Sequence, residues 1–199
     1  MVSNNIFNNN TKLEAYPGIS PSEIVIGGYT RNVVIQNNII QNGTFGIKTT
    51  YGNITIKNNK IENIQNDGIK IQGNNQLHVK IDFNDIRDCL SNAIEINADS
   101  GYIRNGQIIG NYIYGGGSWS ISIALTDARN FTVYGNTIVA SAANVPSDCI
   151  YEAGTSDFNT IILNKFIRFP GTAFQSTVTK IGTNTKINCT GLTSWNFGT

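Results

Sequence analysis

The chain is poor in the residues that most often carry metal and nucleophilic chemistry. It has one histidine, His78, and three cysteines, Cys89, Cys149 and Cys189. A single His argues against a His-based zinc site. It argues equally against a Ser-His-Asp triad, since no motif ties a carboxylate or a nucleophile to it. Three cysteines are an odd number without metal-ligand spacing, so they read as buried small apolar side chains, not as a disulfide framework. Charge is scarce as well. There are 14 Lys+Arg against 13 Asp+Glu, a net charge of +1, and without a basic excess or stripe no nucleic-acid partner is expected. No apolar run approaches the roughly 20 residues of a membrane span, so no membrane partner is expected. Met1-Val2-Ser3-Asn4-Asn5 shows neither the basic nor the apolar region of a signal peptide. There is no GxGxxG and no P-loop lysine, so no cofactor is expected.

What the chain has instead is asparagine, 29 residues, and glycine, 20. Neither suits a helix interior, and both tolerate the left-handed backbone of turns. Isoleucine and valine recur between the asparagines at regular spacing, which argues against disorder. Aligning Val33-Val34-Ile35-Gln36-Asn37-Asn38-Ile39-Ile40 over Ile54-Thr55-Ile56-Lys57-Asn58-Asn59-Lys60-Ile61 starts a repeat that runs along most of the chain. It yields three columns. The first is Val2, Ile35, Ile56, Ile81, Ile108, Val133 and Ile161; the second is Asn5, Asn38, Asn59, Asn84, Asn111, Asn136 and Asn164; the third is Phe7, Ile40, Ile61, Ile86, Ile113, Ile138 and Phe166. A second strand follows each, as in Gly46-Ile47-Lys48-Thr49, Gly68-Ile69-Lys70-Ile71 and Ala93-Ile94-Glu95-Ile96. Steps of roughly 21–28 residues suit one coil of three short strands, and parallel stacking brings identical positions about 4.8 Å apart. A leucine-rich horseshoe would need far more than the six leucines present.

These columns predict an all-β chain, a right-handed parallel β-helix of about seven coils with an Asn ladder at one corner. The I-x-x-N-x-I…G-I-x-I repeats resemble those of the pectate-lyase-like superfamily, whose members include pectate lyases, polygalacturonases, alginate epimerases and bacteriophage tailspikes. The resemblance covers about residues 2 to 176. It is most similar to a tailspike segment that binds and cleaves a bacterial surface polysaccharide, which implies a glycan partner, a homotrimer and a virion-tail or extracellular setting. The alternatives are a non-catalytic spike or adhesin segment and a secreted lyase or epimerase. Residues 1–176 are expected to form the β-helix and 177–199 a tail that packs on it as a cap. Met1 is followed at once by a coil strand with no capping segment, which suggests a piece of a longer protein.

Outward positions change along the chain. Gln36, Lys57 and Asp82 continue as Ile109, Tyr134 and Ile162; Gln41, Glu62 and Arg87 continue as Tyr114, Val139 and Ile167. An apolar outer face of this kind marks an interface, either with the tail after Pro170 or with a threefold neighbour. Glycoside hydrolysis needs an acid and a base or nucleophile, and carboxylates one coil apart would lie near the retaining separation of about 5 Å. The cluster that best fits is Asp99, Asp127 and Asp157, shortly after the second strand in three successive coils, with Glu152 and Arg129 close in sequence; Asp is also a common turn former. Lys70 against Glu95 reads as a cross-coil ion pair, and Asp82, Asp85 and Asp88 surround one corner beside Arg87. For substrate contact the candidates are Trp119 in a Gly-rich loop, Tyr151, Glu95 and Arg129. Metal binding by Asp99 and Asp127 has no further support. The Asn-x-Thr matches at Asn42, Asn53, Asn130 and Asn188 are what an Asn-rich chain yields by chance.

Overall fold

The computed structural model describes residues 1–8, 22–26, 32–50, 53–73, 78–115, 121–140, 147–167, 176–180, 182–190 and 196–197. Every pairing among its strands is parallel, and each joins a strand to its counterpart one coil away. Three walls result. A fourteen-stranded sheet bends at the Asn corner into two of them, because Thr160–Ile167 runs through the corner and pairs with strands on both sides. An eight-stranded sheet forms the third wall, from Ser22–Ile26 to Asn196–Phe197. A short pair, Ile103–Arg104 with Ala128–Arg129, extends one edge.

The registers reproduce the columns of the sequence. Val2 stands against Ile35, Ile35 against Ile56, and so on to Ile161. Ile47, Ile69, Ile94, Ile123, Ile150 and Val178 stack in the eight-stranded sheet. Val2 aside, these side chains are 0–1% exposed, and strand alternation explains it: every second residue of each strand meets the same residue of the coils above and below. Burying an isoleucine contributes roughly 1.5–3 kcal/mol. The three cysteines are free thiols buried in this interior, and burial pushes the Cys89 thiol well above its ordinary range.

The Asn ladder supplies what the isoleucines cannot, hydrogen bonds at a buried turn. Asn84 Oδ1 accepts the backbone N–H of Asn59 and its Nδ2, both at 3.0 Å. Asn84 Nδ2 donates to the carbonyl of Ile56 at 3.0 Å and to Asn111 Oδ1 at 3.0 Å. The pattern repeats from Asn5 to Asn164, and Asn164 Nδ2 then meets Cys189 Sγ at 3.7 Å, so the thiol takes the next ladder position. The residue before each ladder Asn has positive φ: Asn4, Asn37, Asn58, Phe83, Gly110, Gly135 and Leu163. Asn and Gly accept that conformation; Phe83 and Leu163 do not do so readily, and their side chains are 62% and 51% exposed.

The described C-terminal strands stack on the preceding coils. Ser176–Lys180 is a continuous strand across the 176/177 boundary and pairs with Asp148–Ala153. Lys186–Thr190 pairs with Thr160–Ile167, and Asn196–Phe197 pairs with Ser176–Lys180. The described tail therefore extends the stack and does not lie across the apolar outer columns; residues 168–175 fall outside the described ones. Those columns do align as the sequence reading has them, Asp82 against Ile109 against Tyr134 against Ile162, and Arg87 against Tyr114 against Val139 against Ile167.

The ladder makes a direct prediction. Asn84→Ala removes the acceptor of two Asn59 donors and the donor to the Ile56 carbonyl, leaving buried groups unsatisfied at about 1–3 kcal/mol each. Equilibrium urea unfolding should show a loss of at least about 2 kcal/mol, and a loss under 0.5 kcal/mol would show that the ladder is dispensable.

Candidate functional site

The densest polar arrangement lies on the outer face of the eight-stranded sheet. Lys48, Lys70, Glu95, Ala124 and Tyr151 form one outward column. Lys70 Nζ lies 2.5 Å from Glu95 Oε2 and 3.3 Å from Asp67 Oδ2. Asp67 sits one residue before Gly68, where the chain turns into its second strand, and is 1% exposed. Its Oδ1 accepts the N–H of Asn92 at 3.0 Å, and Asn92 Oδ1 accepts the N–H of Ile121 at 3.0 Å. This is a second, shorter polar ladder, at a second corner. Glu95 Oε1 accepts from Asn97 Nδ2 at 3.1 Å, and Gln72 Nε2 donates to Asp99 Oδ1 at 2.8 Å. The strip thus crosses two coils from Asp67 to Asp99.

Two carboxylates sharing one lysine are driven apart in acidity. Burial, then the charge and shared hydrogen bond of Glu95, raises the Asp67 carboxyl above its ordinary range, against the opposing pull of Lys70 and the Asn92 N–H. Burial also works to raise Glu95, but hydrogen bonds from Lys70 and Asp67 outweigh it and hold Glu95 below its ordinary range. Such a split is what separates a proton holder from a standing anion. Glu95 and Lys70 retain side-chain exposures of 13% and 17%, so they are the members that reach solvent. Phe45, under the Lys48 and Lys70 ammonium groups at 5.0 and 5.9 Å, closes one flank.

The four carboxylates expected to be catalytic are not brought together. Glu152 is the correction with the clearest cause. It stands in register with Leu125, itself in register with Ile96 and Ile71, so it occupies an interior column and is 0% exposed. There it accepts from Asn159 Nδ2 at 2.7 Å, Thr185 Oγ1 at 2.8 Å and the Gly182 N–H at 3.2 Å, and it joins the last coils from inside. Asp127 stands at positive φ and its Oδ1 accepts the N–H and Oγ1 of Thr155 at 2.7 and 2.8 Å. Asp157 accepts the N–H and Nδ2 of Asn184 at 2.8 and 2.9 Å; burial works against its ionised form, and these bonds outweigh it and hold the carboxyl low. Asp99 is exposed on Gln72. Gly154 lies against Asp127 on the next coil, while Asp157 pairs along the backbone with Arg129, so the three are not one column.

Of the expected contact residues, Glu95 belongs to the central strip and Tyr151 is half-buried on the same column two coils away. Arg129 stacks on Tyr102 at 3.6 Å and donates from Nε to the Thr155 carbonyl at 3.2 Å. Trp119 lies outside the described residues. The Asp82, Asp85 and Asp88 corner is held locally, with Asp85 on Arg87 at 2.7 Å and Asp82 on Gln107 at 2.7 Å. Sequence reasoning missed Asp67, Tyr102 and Arg104. For Asp67 a signal existed, since Asp67 and Asn92 each stand two residues before a stacked Ile, a repeat of the ladder's logic. Among the described residues no group of three His, Cys, Asp or Glu could hold a metal. An open cavity of about 320 Å³ on the wall that contains Val33–Gln36 and Ile54–Lys57 is lined by residues such as Asn53, Thr55, His78 and Lys80, with no carboxylate among the described residues.

A family model for the right-handed beta helix region matches residues 1–80 and again 49–192. The chain belongs to this family. The two matches overlap over residues 49–80, as a repeat permits when one model can be laid on it at two registers. No curated protein and no solved structure matches the chain.

The Asp67–Glu95 pair predicts a pH dependence of two opposite signs. Glu95 is held low, so its contribution to stability is present above its unfolded value, 4.5, and is lost as pH falls through its folded value. Asp67 is held high, so ionising it costs stability as pH rises above 3.8 through its folded value. Urea unfolding from pH 3 to 7 should show Glu95→Gln flattening the acid limb and Asp67→Asn removing the upper loss; parallel profiles for both variants and the parent would contradict the pairing.

Proposed function

We propose that this β-helix binds an extended polysaccharide laid across successive coils on the outer face of its eight-stranded sheet. The observation that carries the reading is the strip Asp67–Lys70–Glu95–Asn97 with Gln72–Asp99: charged and amide groups on neighbouring coils, already hydrogen-bonded to one another and open to solvent at Glu95 and Lys70. Sugar hydroxyls donate and accept in pairs, and a fixed row of donors and acceptors spaced at the coil repeat is matched to a ligand that is itself a row. The family's fold is compatible with polysaccharide binding or degradation.

A second reading, cleavage, is favoured by the opposite shifts of Asp67 and Glu95. In it Glu95 is the ionised group that faces the sugar, and Asp67, buried beneath Lys70, is a positioning residue that sets its proton state. The wider setting we propose is a spike of the tailspike type, virion-borne or extracellular, with three copies meeting along the apolar columns.

Two experiments test these readings. Across a panel of bacterial surface polysaccharides, affinity electrophoresis should find at least one ligand retarded by the protein, with Glu95→Gln and Lys70→Gln each weakening retention about tenfold, consistent with hydrogen bonds to charged groups. New reducing ends in the same mixtures, lost in Glu95→Gln, support cleavage. Retention untouched by both variants removes the strip from the function. For the assembly, light scattering over a dilution series should give a trimer that Phe83→Asn with Leu163→Asn dissociates, while thermal unfolding of the monomer is unchanged or raised; a monomer at every concentration sinks the trimer.

A further inference from the structure

The edge built by the short two-stranded sheet holds a concentration of positive charge that the strip does not use. Arg104 and Arg129 stand in register on adjacent coils. Ile103 and Ala128, the residues before them, are 0% exposed in the core, so strand alternation turns both guanidinium groups outward. Like charges placed directly opposite one another destabilise a sheet. Here the ion pairs formed among the described residues involve other side chains. The carboxylates nearest in sequence have their oxygens engaged by other donors: Asp127 by Thr155, Asp157 by Asn184 and Asp99 by Gln72. Asp157 pairs with Arg129 along the backbone and interacts with its charge, which sets one carboxylate against two guanidinium groups at this edge.

The chain inserts residues to shape this edge. Between Asn97 and Ile103 it places five residues where the next coil has Asp127 alone, as the registers Asn97 with Thr126 and Ile103 with Ala128 require. The last of the five is Tyr102. Its ring centre lies 3.6 Å from the Arg129 guanidinium carbon and 5.1 Å from that of Arg104. Arg129 is also fixed at Nε by the Thr155 carbonyl at 3.2 Å. A guanidinium stacked on one face and held at Nε presents its terminal N–H groups in a set plane, the fork that pairs with a carboxylate or phosphate. Fixing it beforehand lowers the ordering cost of binding.

We infer that Tyr102, Arg104 and Arg129 form an oxyanion subsite, which takes the carboxylate of a uronic acid or the phosphate of a phosphorylated sugar. The inference rests on the polysaccharide reading for the molecule that carries the oxyanion; the anion site itself stands on the two arginines and the ring. One such subsite beside a nearly neutral strip suits a glycan with occasional acidic units, not one charged at every sugar.

The test is calorimetric titration of the full chain at low salt with glucuronate, glucose 1-phosphate and glucose. At least one of the two anions should bind and glucose should not, and binding should weaken as salt is raised. Arg104→Gln and Arg129→Gln should each weaken it by about tenfold or more, in keeping with charge-assisted hydrogen bonds. Tyr102→Phe should keep the affinity and Tyr102→Ala should lose several-fold of it, with unfolding curves confirming that each variant is folded. Which anion binds more tightly identifies the source of the oxyanion. Absence of binding by both anions, or binding unchanged in both arginine variants, overturns the subsite. Anion binding without any ligand in the polysaccharide panel would sink the strip alone, and the reverse result would sink the subsite alone.

Discussion

The buried asparagine turn is the constraint on which the molecule depends. A parallel coil must turn its chain at each corner, and a turn strands backbone N–H and carbonyl groups where water cannot reach them. Each ladder Asn answers this with one oxygen that accepts from the coil before it and one amide that donates to backbone carbonyls and to the coil after it. Such a chain of bonds holds only if every coil keeps the same register, since a slip of one residue would turn the isoleucine columns outward. The ladder and the apolar columns therefore enforce one another. The hydrogen bonds set which residues face in, and the burial of those residues keeps the hydrogen bonds dry.

The same device recurs in shorter form wherever the outline of the coil changes. Asp67 and Asn92 make a two-step ladder at the entry to the eight-stranded sheet. Asn159 takes the N–H of Phe131, and Thr185 takes that of Asn159, at the entry to the first wall. Near the C-terminal coils the interior itself turns polar, as Glu152 replaces the aliphatic column residue and gathers Asn159, Thr185 and Gly182. A buried carboxylate with three neutral donors costs desolvation that an isoleucine would not. In return it binds residues from three separate segments to one point. The candidate binding strip grows out of the same principle, because Asp67 is at once a ladder residue and the buried partner of Lys70 and Glu95.

How much of this was legible in the sequence depends on whether a residue obeys the repeat. The apolar columns, the Asn ladder and the outward series from Asp82 to Ile162 could be read because each coil repeats the last. Glu152 joins the candidate carboxylates because it is close to them in sequence, but it stands in the column of Thr49, Ile71, Ile96 and Leu125, whose members face inward. Nearness in sequence does not report which way a strand residue faces. Asp99, Asp127 and Asp157 looked aligned because each closes a second strand. The five residues between Asn97 and Ile103 break the count there, and coil spacing in sequence does not report where an insertion sits. The Arg104–Tyr102–Arg129 stack was illegible for the same reason, since it exists only after the insertion is folded.

Phe83 and Leu163 point to the physical logic of the outer surface. Their position takes Asn or Gly in every other rung, and a left-handed conformation costs a bulky side chain of order 1 kcal/mol or more. Burial among the described residues returns little of that cost, since both side chains are largely exposed. They flank Gly110 and Gly135, and the Phe83 ring lies over Gly110 so closely that a Cβ there would meet it at 2.5 Å, whereas nothing lies within 4 Å of one at Gly135. The apolar columns beside them share that corner. The polar strip and the arginine edge occupy the other sheet and its margin. Outward positions are the part of a β-helix that stacking leaves unconstrained, so the division into an apolar corner and a polar face is not demanded by folding. It is the division that the proposed trimer contact on one side and the proposed polysaccharide on the other would call for.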